Sequence, residues 1–144
     1  MNPIKKVIFG KNTDIKPIWL MRQAGRYLPE FRKIRRENKN FIKLCLNERL
    51  VPEISLQPLK RFDLDAVIIF SDILMIPYGL GQRVEFTKGL GPSLGNHSVI
   101  TSIHNNRSSF IKKLTPVYNS FSKLSKKLKR KEKNLIGFIG APWT

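Results

Sequence analysis

Two arginines four residues apart, Arg22 and Arg26, with Gly25 between them, can turn both guanidinium forks toward one anionic ligand. Such forks match carboxylates bidentately. The same pair could instead bind helix carbonyls or surface acids, as solvated basic residues often do. A second reactive group is Asp72, which follows the apolar run AVIIF at residues 66–70. An aspartate there either caps the turn that comes next or faces a cavity as an acceptor. With two arginines nearby it stays ionised, because opposite charge favours the charged form. A third cluster, Gly140, Ala141 and Pro142, follows the apolar run LIGFI at residues 135–139. Metal chemistry has little to draw on. The chain holds one cysteine, Cys45, and two isolated histidines, His97 and His104, so neither an intrachain disulfide nor a zinc cluster is expected. Cys45 lies in the apolar patch 41–46 and reads as a buried, inert thiol; the histidines sit in a weakly patterned polar stretch and read as loop residues.

These groups need elements to position them. Residues 17–21 (PIWLM) form a short apolar run of strand length that leads directly into the arginine loop. Pro29 suits a first helical position, predicting a short, very basic helix to about Glu37. Asn47 is a plausible N-cap for a helical face of Leu50, Ile54, Leu59 and Phe62, with Pro58 leaving its end open. Residues 66–70 and 135–139 read as buried parallel strands. Five glycines and Pro92 between Gly79 and Gly95 predict an irregular excursion carrying a small hairpin strand at 82–86. Thr115 and Pro116 start the clearest helix, whose stripe of Val117, Phe121, Leu124 and Leu128 is a core face. Crossovers of this length make the strands parallel and place the chain in the α/β class, as an open doubly wound sheet or a (β/α)8 barrel. No Gly-x-Gly-x-x-Gly follows any candidate strand, and no phosphate-binding Gly-Lys-Ser/Thr loop is present. In both architectures ligands bind at the carboxyl ends of the strands, so the three clusters would meet around one cavity.

The 144 residues carry 27 Lys plus Arg against 10 Asp plus Glu, a net charge of +17, yet 41% are hydrophobic, which excludes wholesale disorder. A charge of that size suits nucleic acid or a polyanionic small substrate. It also suits a composition biased toward Lys, Ile and Asn throughout, and the densest basic run, Lys123 to Lys133, reads as a solvated helix face. No apolar run approaches the ~18 residues needed to span a bilayer, and the N-terminus lacks the apolar core of a signal peptide, so the expected address is cytoplasmic.

Residues 17–32 (PIWLMRQAGRYLPEFR) resemble the N-terminal signature of the uroporphyrinogen decarboxylase family. Residues 68–74 (IIFSDIL) resemble that family's aspartate-bearing segment, and residues 137–144 (GFIGAPWT) its second signature. All three occur in family order, and the resemblance is weakest over residues 96–114. It implies a (β/α)8 TIM barrel, of which this chain supplies only the first part, about three barrel strands, as a single incomplete domain over residues 1–144. It implies, too, that Arg22 and Arg26 are catalytic and bind substrate carboxylates, and that Asp72 accepts hydrogen bonds from pyrrole N–H groups. Gln23, Ala24 and Gly25 complete the substrate-binding loop. The expected reaction is decarboxylation of the four acetate arms of uroporphyrinogen III without any cofactor or metal. The expected partner is that tetrapyrrole, with no nucleic acid and no membrane, and the full-length protein is expected to be a homodimer.

The later family residues have no counterpart here, so an incomplete reading frame is the simplest explanation, and the 144-residue piece alone is expected to be inactive. The competing readings are a basic nucleic-acid-binding module and a truncated, non-catalytic scaffold. The first is supported by Arg32, Lys33, Arg35 and Arg36 but lacks an aromatic binding strand or zinc-finger spacing and leaves Asp72 and residues 140–144 unexplained.

Overall fold

A computed structural model of the chain describes residues 2–12, 14–21, 25–87, 91–95 and 106–140. Helix α1 (Pro3–Ile8) is capped by Asn2, whose side chain accepts the Lys5 N–H at 3.1 Å. Helix α2 (Pro29–Glu37) starts on a proline, as its sequence predicts, and buries Phe31 and Ile34. The connector after it is itself helical: α3 (Phe41–Cys45) is started by Asn40, which accepts the Lys43 N–H at 2.9 Å. The helix expected over residues 47–62 is divided. Helix α4 (Leu50–Leu56) ends before Pro58, which opens a separate 3-10 turn, Pro58–Lys60. Proline lacks the N–H that would continue the helical ladder and crowds the preceding turn. Asn47 does act at the start, its Oδ1 accepting the N–H groups of Arg49 at 3.0 Å and Leu50 at 2.9 Å.

Strand β1 (Ala66–Ile68) pairs in parallel with β4 (Asn134–Ile136), Val67 opposite Leu135. Between them lie α5 (Met75–Gly79), an antiparallel pair β2 (Val84–Thr87) and β3 (Gly91–Leu94), and the long helix α6 (Arg107–Lys129). This is the parallel crossover that defines the α/β class. Three expectations need correction. Residues 17–20 belong to no strand among the described residues; Ile18 touches the start of β1 by accepting the Asp65 N–H at 2.9 Å and donating its own N–H to Asp65 Oδ2 at 2.8 Å. Second, the third strand is not buried through residue 139, since Phe138 and Ile139 are exposed. Third, α6 begins at Arg107 on an Asn106 cap, well before Thr115, and carries Pro116 in its interior. Packing against α4, α5 and β4 outweighs the local break, because helix stability in proteins comes largely from tertiary contact. Among the described residues the sheets have two strands each, β1 with β4 and β2 with β3, and no barrel closes.

The core has three connected parts. Leu28, Phe31, Ile34, Leu44, Leu50 and Ile54 pack together beneath Phe70. Val51, Val67 and Ile69 meet Leu124 and Leu128, the buried half of the predicted α6 stripe. Phe121, from the same stripe, is 40% exposed. Ile42, Cys45, Met75 and Leu114 form the third part. There α5 and α6 approach so closely that a Cβ on Gly79 would lie 2.7 Å from the Phe110 ring and 3.0 Å from Leu114, so any larger residue would have to displace the Phe110 ring.

Cys45 is buried as expected, and burial first, then the nearby Asp72 carboxylate, pushes its thiol from 9.0 up to about 12. Alkylation at pH 8 should therefore track unfolding rather than direct attack, since the thiolate is the nucleophile. The folded chain also keeps a proton that the unfolded chain loses from about pH 9, so this thiol's contribution to stability falls as pH rises from about 9 to about 12. The native chain's melting temperature should fall relative to that of Cys45→Ala across that window, and parallel curves would refute the burial argument.

Candidate active site

Because β1 and β4 are parallel, the segments after them, Ser71–Asp72 and residues 137–140, emerge at the same end of the sheet. The β1 ladder closes when the Ile69 N–H donates to the Ile136 carbonyl at 3.0 Å. One residue later the Phe70 N–H faces away from β4 and donates to Ser55 Oγ at 2.8 Å. Ser55 is 1% exposed and donates its own hydroxyl proton to the Val51 carbonyl at 2.8 Å, one turn back along α4.

Asp72 follows as a half-buried residue. Its Oδ1 accepts the Leu74 N–H at 2.8 Å and its carbonyl accepts the Met75 N–H at 3.2 Å, so the aspartate caps the turn into α5. Among the described residues Oδ2 has no hydrogen-bond partner. This cap uses only one of the two carboxylate oxygens. The capping and cavity readings of this residue are therefore compatible.

The Phe70 ring ties this strand end to the segment after the arginine loop. It packs on Phe31 at 5.6 Å between centroids and on Phe41 at 5.8 Å, nearly edge-on. Phe31 lies in the first turn of α2, and Leu28, just before α2, is buried in the same cluster. Gly25 and Arg26 form the turn leading there, with the Gly25 carbonyl accepting the Leu28 N–H at 3.0 Å; Arg26 itself is exposed. Arg22, Gln23 and Ala24 lie outside the described residues, as do Ala141, Pro142, His97 and His104.

Sequence reasoning missed two contributors. Ser55 sits in an apolar run, and a buried hydroxyl there was a signal that something needed a partner. Arg35 lies 5.4 Å from the centre of the Phe41 ring and donates to the Asn38 and Lys39 carbonyls at 2.6 Å each. Its charge opposes that of Asp72 on the Cys45 thiol, so cation and carboxylate share one neighbourhood. A separate open cavity of about 490 Å³ lies between Lys39, Phe41, Tyr78, Arg83 and Phe86, and none of the candidate site residues lines it. Among the described residues no cluster of three or more His, Cys, Asp or Glu could hold a metal, and no helix is long and apolar enough to cross a membrane.

The profile of the family described as uroporphyrinogen decarboxylase matches residues 1–144. The chain belongs to the uroporphyrinogen decarboxylase family. It is 45% identical over 141 residues to uroporphyrinogen decarboxylase of Agrobacterium fabrum, covering 98% of this chain and 41% of that protein. Against the Mesorhizobium japonicum enzyme the figures are 48% over 138 residues, 96% and 40%. Against that of Rickettsia felis they are 42% over 144 residues, 100% and 40%. The chain thus spans about two fifths of the length of the curated relatives it matches.

Proposed function

We propose that this chain supplies the first strands, and part of the substrate cleft, of a (β/α)8 barrel that decarboxylates uroporphyrinogen III to coproporphyrinogen III. The observation that carries the reading is Asp72 at the carboxyl end of a parallel strand, in a chain whose whole length matches this family. Barrel enzymes build their sites at that end. Arg22 and Arg26, with Gln23, Ala24 and Gly25 between them, hold substrate carboxylates, and the positive charge draws in a substrate bearing eight of them.

Each decarboxylation consumes one proton and releases one CO₂. Protonation of a pyrrole carbon makes the ring a cation; the C–CO₂ bond then breaks and its electron pair flows into that ring. Protonation of the new exocyclic carbon and loss of the ring proton leave a methyl group. The substrate is its own electron sink, so the scheme calls for no pyridoxal phosphate or metal. Asp72, ionised beneath the ring, stabilises the cation electrostatically and accepts the pyrrole N–H groups. The enzyme works in the cytoplasm as a homodimer, with the tetrapyrrole rather than nucleic acid as its partner.

Anaerobic incubation of the full-length protein with uroporphyrinogen III should yield coproporphyrinogen III, resolved by chromatography of the oxidised porphyrins. An unchanged octacarboxylate would overturn the reading. In the same assay Arg26→Gln should raise KM about tenfold or more, since a charge-assisted fork to a carboxylate is lost, with kcat changed far less. An unaltered KM would remove Arg26 from the binding loop.

A further inference from the structure

The backbone at Asp72 is held from two sides. On the far side the turn into α5 fixes it through the N–H groups of Leu74 and Met75. On the near side the sheet lets go at Ile69, and the only described hydrogen bond on the Phe70 N–H comes from the helix layer, at Ser55 Oγ. Two residues of chain span at most about 7 Å, so a point fixed at Phe70 leaves Asp72 little freedom. Ser55 is well suited to this. Its hydroxyl proton is committed to the Val51 carbonyl, so its lone pair faces Phe70 and the pair forms one directed chain from α4 to the strand end. Nearly full burial means that no water can replace it without a rearrangement.

We infer that Ser55 is a positioning residue for Asp72: its hydroxyl receives the Phe70 N–H and so fixes the exit of β1 that places the Asp72 carboxylate under the substrate ring. The inference rests on the role given to Asp72 above and adds a residue that touches no substrate. Removing the hydroxyl leaves the half-buried Phe70 N–H without an acceptor, and the strand end shifts to find one. A misplacement of about 1 Å at a reacting group can cost about a hundredfold in rate. Because Asp72 acts most strongly on a cation that develops only after substrate has bound, the loss falls mainly on kcat, with a smaller rise in KM from the displaced pyrrole N–H contacts.

The test compares Ser55→Ala, Ser55→Thr and Asp72→Asn in the full-length protein. Ser55→Ala should lower kcat roughly 10- to 100-fold with a much smaller rise in KM, and Ser55→Thr, which keeps the oxygen, should recover most of the loss. A purely packing role gives the opposite order, since alanine only removes an atom whereas threonine adds a methyl group to a filled site. Equal kcat in Ser55→Ala and the native protein overturns the inference, as does an equal fall in the alanine and threonine variants. Amide exchange at Phe70, measured without substrate, should speed up in Ser55→Ala; faster exchange with undiminished kcat also overturns it. Should Ser55→Ala not fold, Ser55→Cys carries the comparison, its sulfur being a poor acceptor, and a native kcat there counts against the role. Asp72→Asn reports on the underlying reading separately: full activity in that variant removes the function of Asp72, and the role of Ser55 in turnover falls with it.

Discussion

Asp72→Asn is expected to lower kcat/KM for uroporphyrinogen by about 10²–10³ while leaving the folded structure and its melting temperature nearly unchanged, a loss on the scale of removing one preorganised electrostatic contact to a developing charge. The separation of fold from activity follows from the geometry at this residue. Oδ1 caps the Leu74 N–H, and an asparagine presents a carbonyl oxygen at the same position, so the turn into α5 keeps its partner. What disappears is the negative charge and the acceptor capacity of the second oxygen, since an asparagine NH₂ only donates. An amide donor aimed at pyrrole N–H groups would oppose them, and a neutral side chain would leave the ring cation uncompensated. Asp72→Ala removes both the cap and the charge and should cost stability as well as activity. Its extra loss, read as a lower denaturation midpoint than that of Asp72→Asn, isolates the cap. Retained turnover in Asp72→Asn would show that the carboxylate serves the turn alone.

Much of the arrangement around this aspartate was legible in the residues. The run before Asp72 announced a buried strand, and the parallel pairing with the segment before Gly137 followed from crossover length. What could not be read was where each ladder ends. Residues 66–70 look alike in hydropathy, yet the ladder ends at the Ile69 N–H, and the Phe70 N–H goes to a serine fifteen residues earlier in the chain. That is a tertiary hydrogen bond, invisible to any periodicity. Residues 17–21 have strand character in the same sense, but only Ile18 finds a described partner, Asp65. Pro116 misled in the other direction. A proline after threonine is a sound helix start, but the weakly patterned residues before it continue the helix back to Asn106 because Leu114 packs into the third core cluster. The family was easier to read than the ends of the elements, since a signature of 16 contiguous residues constrains identity far more than hydropathy constrains an element's ends.

The packing beneath the site gives the second large effect: Ile54→Ala is expected to destabilise the fold by about 2–5 kcal/mol, the range for truncating a buried isoleucine or leucine. Ile54 is 0% exposed and belongs to the cluster that joins α2, α3 and α4 under the Phe70 ring. Its neighbours Leu28 and Phe31 come from the start of α2 and Leu44 from α3, so no single element can move in to fill the space. Interiors packed at crystal-like density relax only partly around such a void, which adds a cavity cost to the lost transfer energy. Ile54→Val, one methylene smaller, should cost only about 0.5–1.5 kcal/mol. The check is a denaturant titration of both variants, with a lower midpoint and an unchanged slope as the expected result. Because Phe31 and Ile54 share the cluster, their truncations should combine non-additively, with a coupling of about 0.5 kcal/mol or more in a double-mutant cycle. A loss below about 0.5 kcal/mol in Ile54→Ala would place it among neutral surface substitutions. The cluster would then be too loose to carry Phe70, and the rigidity required of Asp72 would have to come from Ser55 and the α5 turn alone.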